Sequence, residues 1–291
     1  MILVIGGRSK IGQALTKSLC AQGERVRALV RAREADTPYP DDVEAVVGDL
    51  GDPESLRTAM SGAEKVFLLS SPHRDAVRWH RNAIDAALES GVGLLVRSSI
   101  LGANIESPAE FVSAHTDCDR YLEQSGLEYA IVRPNLFTQN VPESNIPSIG
   151  EDGNLYVDAG DARISMVDTR DVAAVANVVL TEDGHAGAHY DVTGPEALSY
   201  EDVAAKLSAM MGREIRYVNI PDQAVRDSLT AIGLDPWFVG ALVGLYQDYR
   251  RSGTDGYASA VTDTVQLLTG RPPRTLDALL AELNHGAGQP H

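Results

Sequence analysis

Residues 1–14 constrain the fold more than any other stretch of the chain. Residues 1–5 (MILVI) form a short apolar run rich in β-branched side chains, which predicts a strand. The run stops at Gly6-Gly7-Arg8-Ser9-Lys10-Ile11-Gly12, and residues 13–19 read as a helix that follows at once. Strand, glycine turn and helix together predict the phosphate-cradling start of a Rossmann unit. Gly6 allows a tight turn out of the strand, and Gly12 lets the helix pack close to the sheet. The helix N-terminus, with free N–H groups and a partial positive charge, faces a pyrophosphate in such a unit. In a Gly-x-x-Gly-x-x-Gly pattern the middle glycine is Ser9 here. Its hydroxyl can donate a hydrogen bond to a phosphate, although its Cβ keeps the backbone further away.

A strand–helix turn of this kind also occurs without a ligand, so the second strand matters. Residues 24–30 (ERVRALV) read as a buried strand, and Arg31 and Arg33 follow it. A carboxylate at this place suits the ribose 2′-hydroxyl of NAD, whereas arginine suits a 2′-phosphate. With Arg8 and Lys10 adding positive charge nearby, and Ile11 beside them on the turn, NADP(H) is the expected cofactor.

At 291 residues the chain can bury one large core with a smaller appendage. A net charge of −16 argues against a nucleic-acid-binding surface. Two cysteines, Cys20 and Cys118, are too few for a disulfide framework or a cysteine metal site. His185 and His189 are four residues apart, but the Ala-Gly-Ala between them reads as loop, so no metal is expected. The apolar N-terminus is too short for a signal peptide, and no stretch approaches a membrane span. A cytoplasmic protein, monomeric or homodimeric, acting on a small and planar molecule is the expectation.

Strands and helices then alternate, which predicts an α/β fold with a doubly wound parallel sheet. Further strands are expected at residues 43–47, 65–70, 94–98 and 129–132, and helices from Asp52, over 77–88 and over 111–124. Ligands lie outside the carboxyl ends of such strands. Asp49 and Leu50 are therefore placed by the adenine, Leu69 and Ser70 by the nicotinamide, and Ser98 at the end of the fifth strand. The segment 142–161, rich in Pro, Gly, Asn and Asp, reads as a loop with one short strand at 155–157. Asp168 is expected to cap a helix, with Asp171 also structural. The expected division is a Rossmann domain over 1–150, with 163–192 returning to it, and a smaller substrate domain over 193–291.

These pieces resemble the NmrA-like branch of the atypical short-chain dehydrogenases/reductases. The resemblance is carried by the glycine turn, Gly48-Asp49-Leu50, Ser98-Ser99 with Gly102-Ala103, and His115 with Asp119, Leu122 and Ser125-Gly126-Leu127. Its most specific piece is Arg133-Pro134-Asn135-Leu136-Phe137 with Asn140. Thr193-Gly194-Pro195 before Ser199-Tyr200-Glu201-Asp202-Val203, and Thr269-Gly270-Arg271-Pro272-Pro273-Arg274-Thr275, match it too. The nearest group is similar to the NADPH-dependent quinone reductases. The resemblance implies a Rossmann domain with a small C-terminal substrate domain. It does not imply one reaction: members reduce quinones, ketones or imines, and others sense NADP without turnover.

Short-chain dehydrogenase chemistry ordinarily uses Tyr-x-x-x-Lys. None of the ten tyrosines has a lysine four residues later. The nearest substitute is His115 with Asp119, which share a helix face and would let the carboxylate orient or charge the imidazole. An aromatic stripe from Pro236 carries Trp237, Phe238 and Tyr246. Its ordinary reading is core; its sharper one is a pocket wall for a planar substrate, faced by Phe137. The expected function is hydride transfer from NADPH to a quinone, ketone or imine. A cofactor-binding sensor and a non-redox isomerase or cyclase are the alternatives.

Overall fold

The computed structural model describes residues 1–31, 43–149 and 151–287; Arg33 lies outside them. Seven parallel strands make the main sheet. In chain order they are β1 (Ile2–Ile5), β2 (Val26–Val30), β3 (Glu44–Val47), β4 (Lys65–Leu68), β5 (Leu94–Ser98), β6 (Tyr129–Pro134) and, later, β8 (Ala188–Val192). Their order across the sheet is β3-β2-β1-β4-β5-β6-β8, with parallel pairing throughout. Alternation decides which layer each side chain joins, because successive residues of a strand point to opposite faces. Ile2 and Val4 pack with α1 (Lys10–Ala21) and the later α6 (Thr169–Thr181). Leu3 and Ile5 pack with α2 (Pro53–Met60) and α3 (Ala76–Glu89), and Leu122 of α4 (Glu110–Glu123) joins that layer. Both faces are covered, which is why the central strands read as unbroken apolar runs.

The expected helix starts hold. Asp52 accepts from the Glu54 N–H with Pro53 in the first turn of α2, and Asp168 caps α6 by accepting from Arg170. Ser199 and Asp202 form a reciprocal capping box on α7 (Tyr200–Met211).

Two readings need correction. The segment 142–161 is not simply loop: after β6 the chain makes a π-helical turn over Val141–Asn145 and a short α5 (Ile146–Ser148) before β7 (Asn154–Val157). Strand β8 was hidden by the Ala-Gly-Ala before it. On it, His189 reaches Glu123 (2.9 Å), while His185 before it reaches the Tyr190 hydroxyl (2.6 Å), so the two imidazoles serve separate partners.

The second unit is built on β7 and β9 (Arg216–Asn219), a parallel pair. Its core gathers residues of α7, of α9 (Pro236–Ser252) and of α11 (Leu276–Ala287), while α8 (Asp222–Ala231) buries no residue. The unit thus takes β7 from before residue 193. In return, Val265 of α10 (Thr264–Thr269) joins the sheet's own core. Among the described residues no helix is long and apolar enough to cross a membrane.

Candidate active site

The first turn is closed by backbone-to-backbone contact. Gly6 has φ +84°, and a Cβ there would lie 2.4 Å from the Leu69 carbonyl oxygen at the end of β4. A Cβ on Gly12 would lie 2.3 Å from the Gly6 carbonyl oxygen. Both positions therefore require glycine, and the start of α1 is drawn against the turn. Ser9 is the N-cap of α1: its Oγ accepts from the Gly12 N–H (2.9 Å). That leaves its hydroxyl proton uncommitted, as the expected phosphate contact requires. Lys10 is paired with Glu143 of the π-helical turn, so its charge is shared across the cleft.

A cleft of about 800 Å³ opens at the carboxyl ends of the strands, within the size range of a cofactor site. Of the expected residues, Gly6, Arg8, Ser9, Lys10, Ile11, Arg31, Leu50, Leu69, Ser70 and Phe137 line it. Gly12 lies behind the turn. Asp49 is exposed and folded back, its Oδ1 accepting from the Gly51 N–H (2.6 Å), so it shapes the turn beside Leu50. Ser98 is buried within β5. His115, Trp237, Phe238 and Tyr246 do not line this cleft.

Sequence reasoning missed Trp79 and His73. Their rings stack with centroids 4.2 Å apart, and the Arg31 guanidinium sits 5.7 Å from the Trp79 ring centroid. Trp79 occupies the first turn of α3, seven residues beyond the Ser71-Pro72 that follows β4. A rare residue at the carboxyl edge of the sheet was the available signal.

Beneath the cleft lies a buried polar hub. Arg97, 1% exposed on β5, is ion-paired with Asp119 of α4. Asp119 is further satisfied by Ser99 Oγ (3.0 Å) and Arg133 (3.1 Å). Arg97 Nε also donates to His80 Nδ1 (2.9 Å), and its Nη2 lies 2.9 Å from His115 Nδ1. A guanidinium has only donors, so both Nδ1 atoms accept and both imidazoles carry their proton on Nε2. The expected pairing of His115 with Asp119 is therefore replaced: Arg97 stands between them. Burial, and then the Arg97 charge, push both histidines well below the usual histidine range. His115 is a neutral hydrogen-bond donor, not a charged acid.

A pH dependence follows from His80, which is 2% exposed. Its folded-state pKa is depressed, so the unfolded chain binds the proton first as pH falls below about 6.5. Its contribution is complete above that pH and is lost below it, at up to about 1.4 kcal/mol per pH unit. Denaturant titrations at pH 7.5 and 5 should show a smaller loss for His80→Gln than for the wild type. Equal losses would assign the pH dependence elsewhere.

The aromatic side chains at the start of α9 gather on α4 rather than over the cleft. Phe111 meets Trp237 and Phe238, each at 5.8 Å between ring centroids. The Trp237 indole N–H donates to Glu110, and Arg74, next to the cleft residue His73, pairs with Asp235 (3.1 Å). Phe111 and His115 are four residues apart on α4 and share a face. Tyr246 belongs to the core of the second unit, sharing a 2.6 Å hydrogen bond with the Tyr200 hydroxyl. It packs against that core and does not line the cleft.

The profile of the NAD(P)H-binding family matches residues 6–183. The chain belongs to that family. An NAD(P)H azoreductase of Xenophilus azovorans is 36% identical over 94% of this chain and 95% of its own. A (4-alkanoyl-5-oxo-2,5-dihydrofuran-3-yl)methyl phosphate reductase of Streptomyces griseus is 34% identical over 94% of each chain. The NADPH complex of the Escherichia coli quinone oxidoreductase QOR2 superposes with a TM-score of 0.88 at 27% identity, covering 97% of this chain and 99% of that one. The resemblance to the NmrA-like quinone reductases thus holds across nearly the whole length, and the chain is an NAD(P)H-binding oxidoreductase.

Proposed function

We propose that this oxidoreductase uses NADPH to reduce planar, electron-poor conjugated acceptors, with quinones and azo compounds as the preferred class. The cofactor half of the reading rests on fit: two glycines that no Cβ can replace, a capped helix N-terminus, and arginine rather than carboxylate after β2. Gly6, Ser9 and Ile11 would hold the pyrophosphate, and Arg31 the 2′-phosphate. When bound, NADPH supplies the hydride.

The acceptor half rests on one observation: His115, on the face of α4 that also carries Phe111, receives the Arg97 guanidinium on Nδ1 and is held neutral. A neutral imidazole donates a hydrogen bond to developing negative charge but is a poor proton source. That suits acceptors whose reduced form is a delocalised anion able to take its proton from water. Simple ketones, which become localised alkoxides, need a stronger acid, and the chain has no Tyr-x-x-x-Lys to provide one. Phe111, Trp237 and Phe238, beside His115, supply flat apolar surface for such an acceptor. The substrates for which the three relatives are named, an azo compound, a quinone and an alkanoyl-dihydrofuranone, support this class.

The test is a panel of quinones, azo dyes, imines and simple ketones with NADPH, followed at the nicotinamide absorbance. Quinones and azo dyes should be reduced and simple ketones should not. Trp237→Ala should raise KM, and His115→Ala should lower kcat by less than the roughly 10²–10⁴-fold typical of a lost general acid. A larger loss with NADPH binding intact would make His115 the proton donor. Tight NADPH binding without oxidation across the panel would replace the enzyme reading with the sensor.

A further inference from the structure

The hub beneath the cleft has a second arm that the reaction described above does not use. His80 receives the Arg97 Nε–H on Nδ1, so its proton is on Nε2, and Nε2 lies 2.9 Å from Ser70 Oγ. His80 must therefore donate to Ser70, whose oxygen accepts. Ser70 lines the cleft. Its one hydroxyl proton is thereby turned away from the protein and left for whatever the cleft holds. A serine without this partner would be free to point its proton back at a ring nitrogen. Here the buried arginine forbids that, because it fixes the tautomer two bonds upstream.

The sheet order says which part of the ligand Ser70 meets. The chain builds outward through β1, β2 and β3, then crosses back to β4 on the other side of β1. Dinucleotides straddle such a reversal. Arg31 and Leu50 follow β2 and β3, the side of the 2′-phosphate and adenine. Ser70 follows β4, on the opposite side.

We propose that Arg97 and His80 are positioning residues that fix Ser70 as a hydrogen-bond donor to the nicotinamide half of the bound cofactor. This rests on the reading that NADPH occupies the cleft, and its test needs no turnover. NADPH and adenosine 2′,5′-bisphosphate, which lacks the nicotinamide half, are titrated against the wild type, Ser70→Ala, His80→Phe, His80→Gln and the double variant Ser70→Ala/His80→Phe. Ser70→Ala and His80→Phe should each weaken NADPH by about three- to tenfold, the range of one neutral hydrogen bond. Both should leave the bisphosphate within about twofold, as should His80→Gln for NADPH, because a carboxamide offers an acceptor to Arg97 and a donor to Ser70. The double variant should bind NADPH no more weakly than either single one, since the two residues share one contact.

Equal losses for both ligands would mean that the cleft has merely deformed, and additive losses would mean that His80 does not act through Ser70. Either overturns the proposal, as does an unchanged Ser70→Ala. Should His80→Phe not fold, the nitrogen-15 spectrum of wild-type imidazoles decides. A protonated Nε2 on His80, shifted by NADPH but not by the bisphosphate, supports the proposal, and a protonated Nδ1 refutes it. A wild type that binds the bisphosphate but loses nothing with Ser70→Ala keeps the cofactor reading and rejects only this one. A wild type that binds neither ligand rejects both.

Discussion

Arg97→Met is expected to destabilise the protein by about 3–5 kcal/mol, the range for breaking one side of a buried ion pair. The guanidinium is 1% exposed and contacts Asp119, His80 and His115. Methionine fills much of the volume but none of the hydrogen bonds. Asp119 would keep Arg133 and Ser99, which holds the cost below that of a fully orphaned carboxylate. Two imidazole Nδ1 lone pairs would lose their donor, and each buried unsatisfied acceptor costs about 1–3 kcal/mol. Urea unfolding of the cofactor-free protein measures the sum. Arg57→Met is the comparison, because Arg57 pairs with Glu89 at the surface, where both side chains are about half exposed. That change should stay within about 1 kcal/mol. A second signature separates charge from packing. Arg97 lowers the pKa of both histidines after burial does. Without it their folded pKa values rise toward the unfolded value, so the stability lost between pH 7.5 and 5 should shrink. A loss under about 1 kcal/mol, or an unchanged pH dependence, would show that the hub does not hold the core together.

How much of this was legible in the sequence depended on whether a residue's partner lay nearby in the chain. The glycine turn, the first six strands and the capped helices rest on local rules, and their positions held to within a few residues. Most of the residues that line the cleft were legible for the same reason: the carboxyl ends of parallel strands meet in one place, so naming the ends names the cleft. The hub was not legible. Arg97 sits in the apolar run LLVRS and counts there only as the odd residue of a strand. Its partners come from α3 and α4, across the helical layer. The spacing of His115 and Asp119 did suggest a pair, and the helix does put them on one face. An arginine from the sheet then takes the carboxylate and reverses the expected electrostatics, so the imidazole is neutral instead of charged. Trp237 and Tyr246 diverged for a similar reason. One stripe on α9 serves two surroundings, α4 at its start and the tyrosine core of the second unit two turns later.

Arg31→Asp is expected to weaken NADPH by about ten- to hundredfold while changing NADH little. Arg31 closes β2 and lines the cleft, 5.7 Å from the Trp79 ring centroid. A cation–π contact with an indole restrains a guanidinium, so less freedom is lost when it meets a phosphate. A charge-assisted contact to the 2′-phosphate contributes about 1.5–3 kcal/mol, which is roughly ten- to hundredfold in affinity. Aspartate removes that contact and sets a like charge against the phosphate. For NADH the same carboxylate meets a ribose 2′-hydroxyl and can accept from it, so the loss should vanish or reverse. Lys10 shares its charge with Glu143, so Arg31 is expected to carry the discrimination. Titrating both cofactors at two ionic strengths gives the decisive comparison. The NADPH penalty should narrow at high salt, because the contact lies at an exposed position where screening acts. Equal losses for the two cofactors would show that Arg31 supports the cleft without reading the 2′-phosphate, and would move the search for that role to the other cations at its mouth, beginning with Arg8.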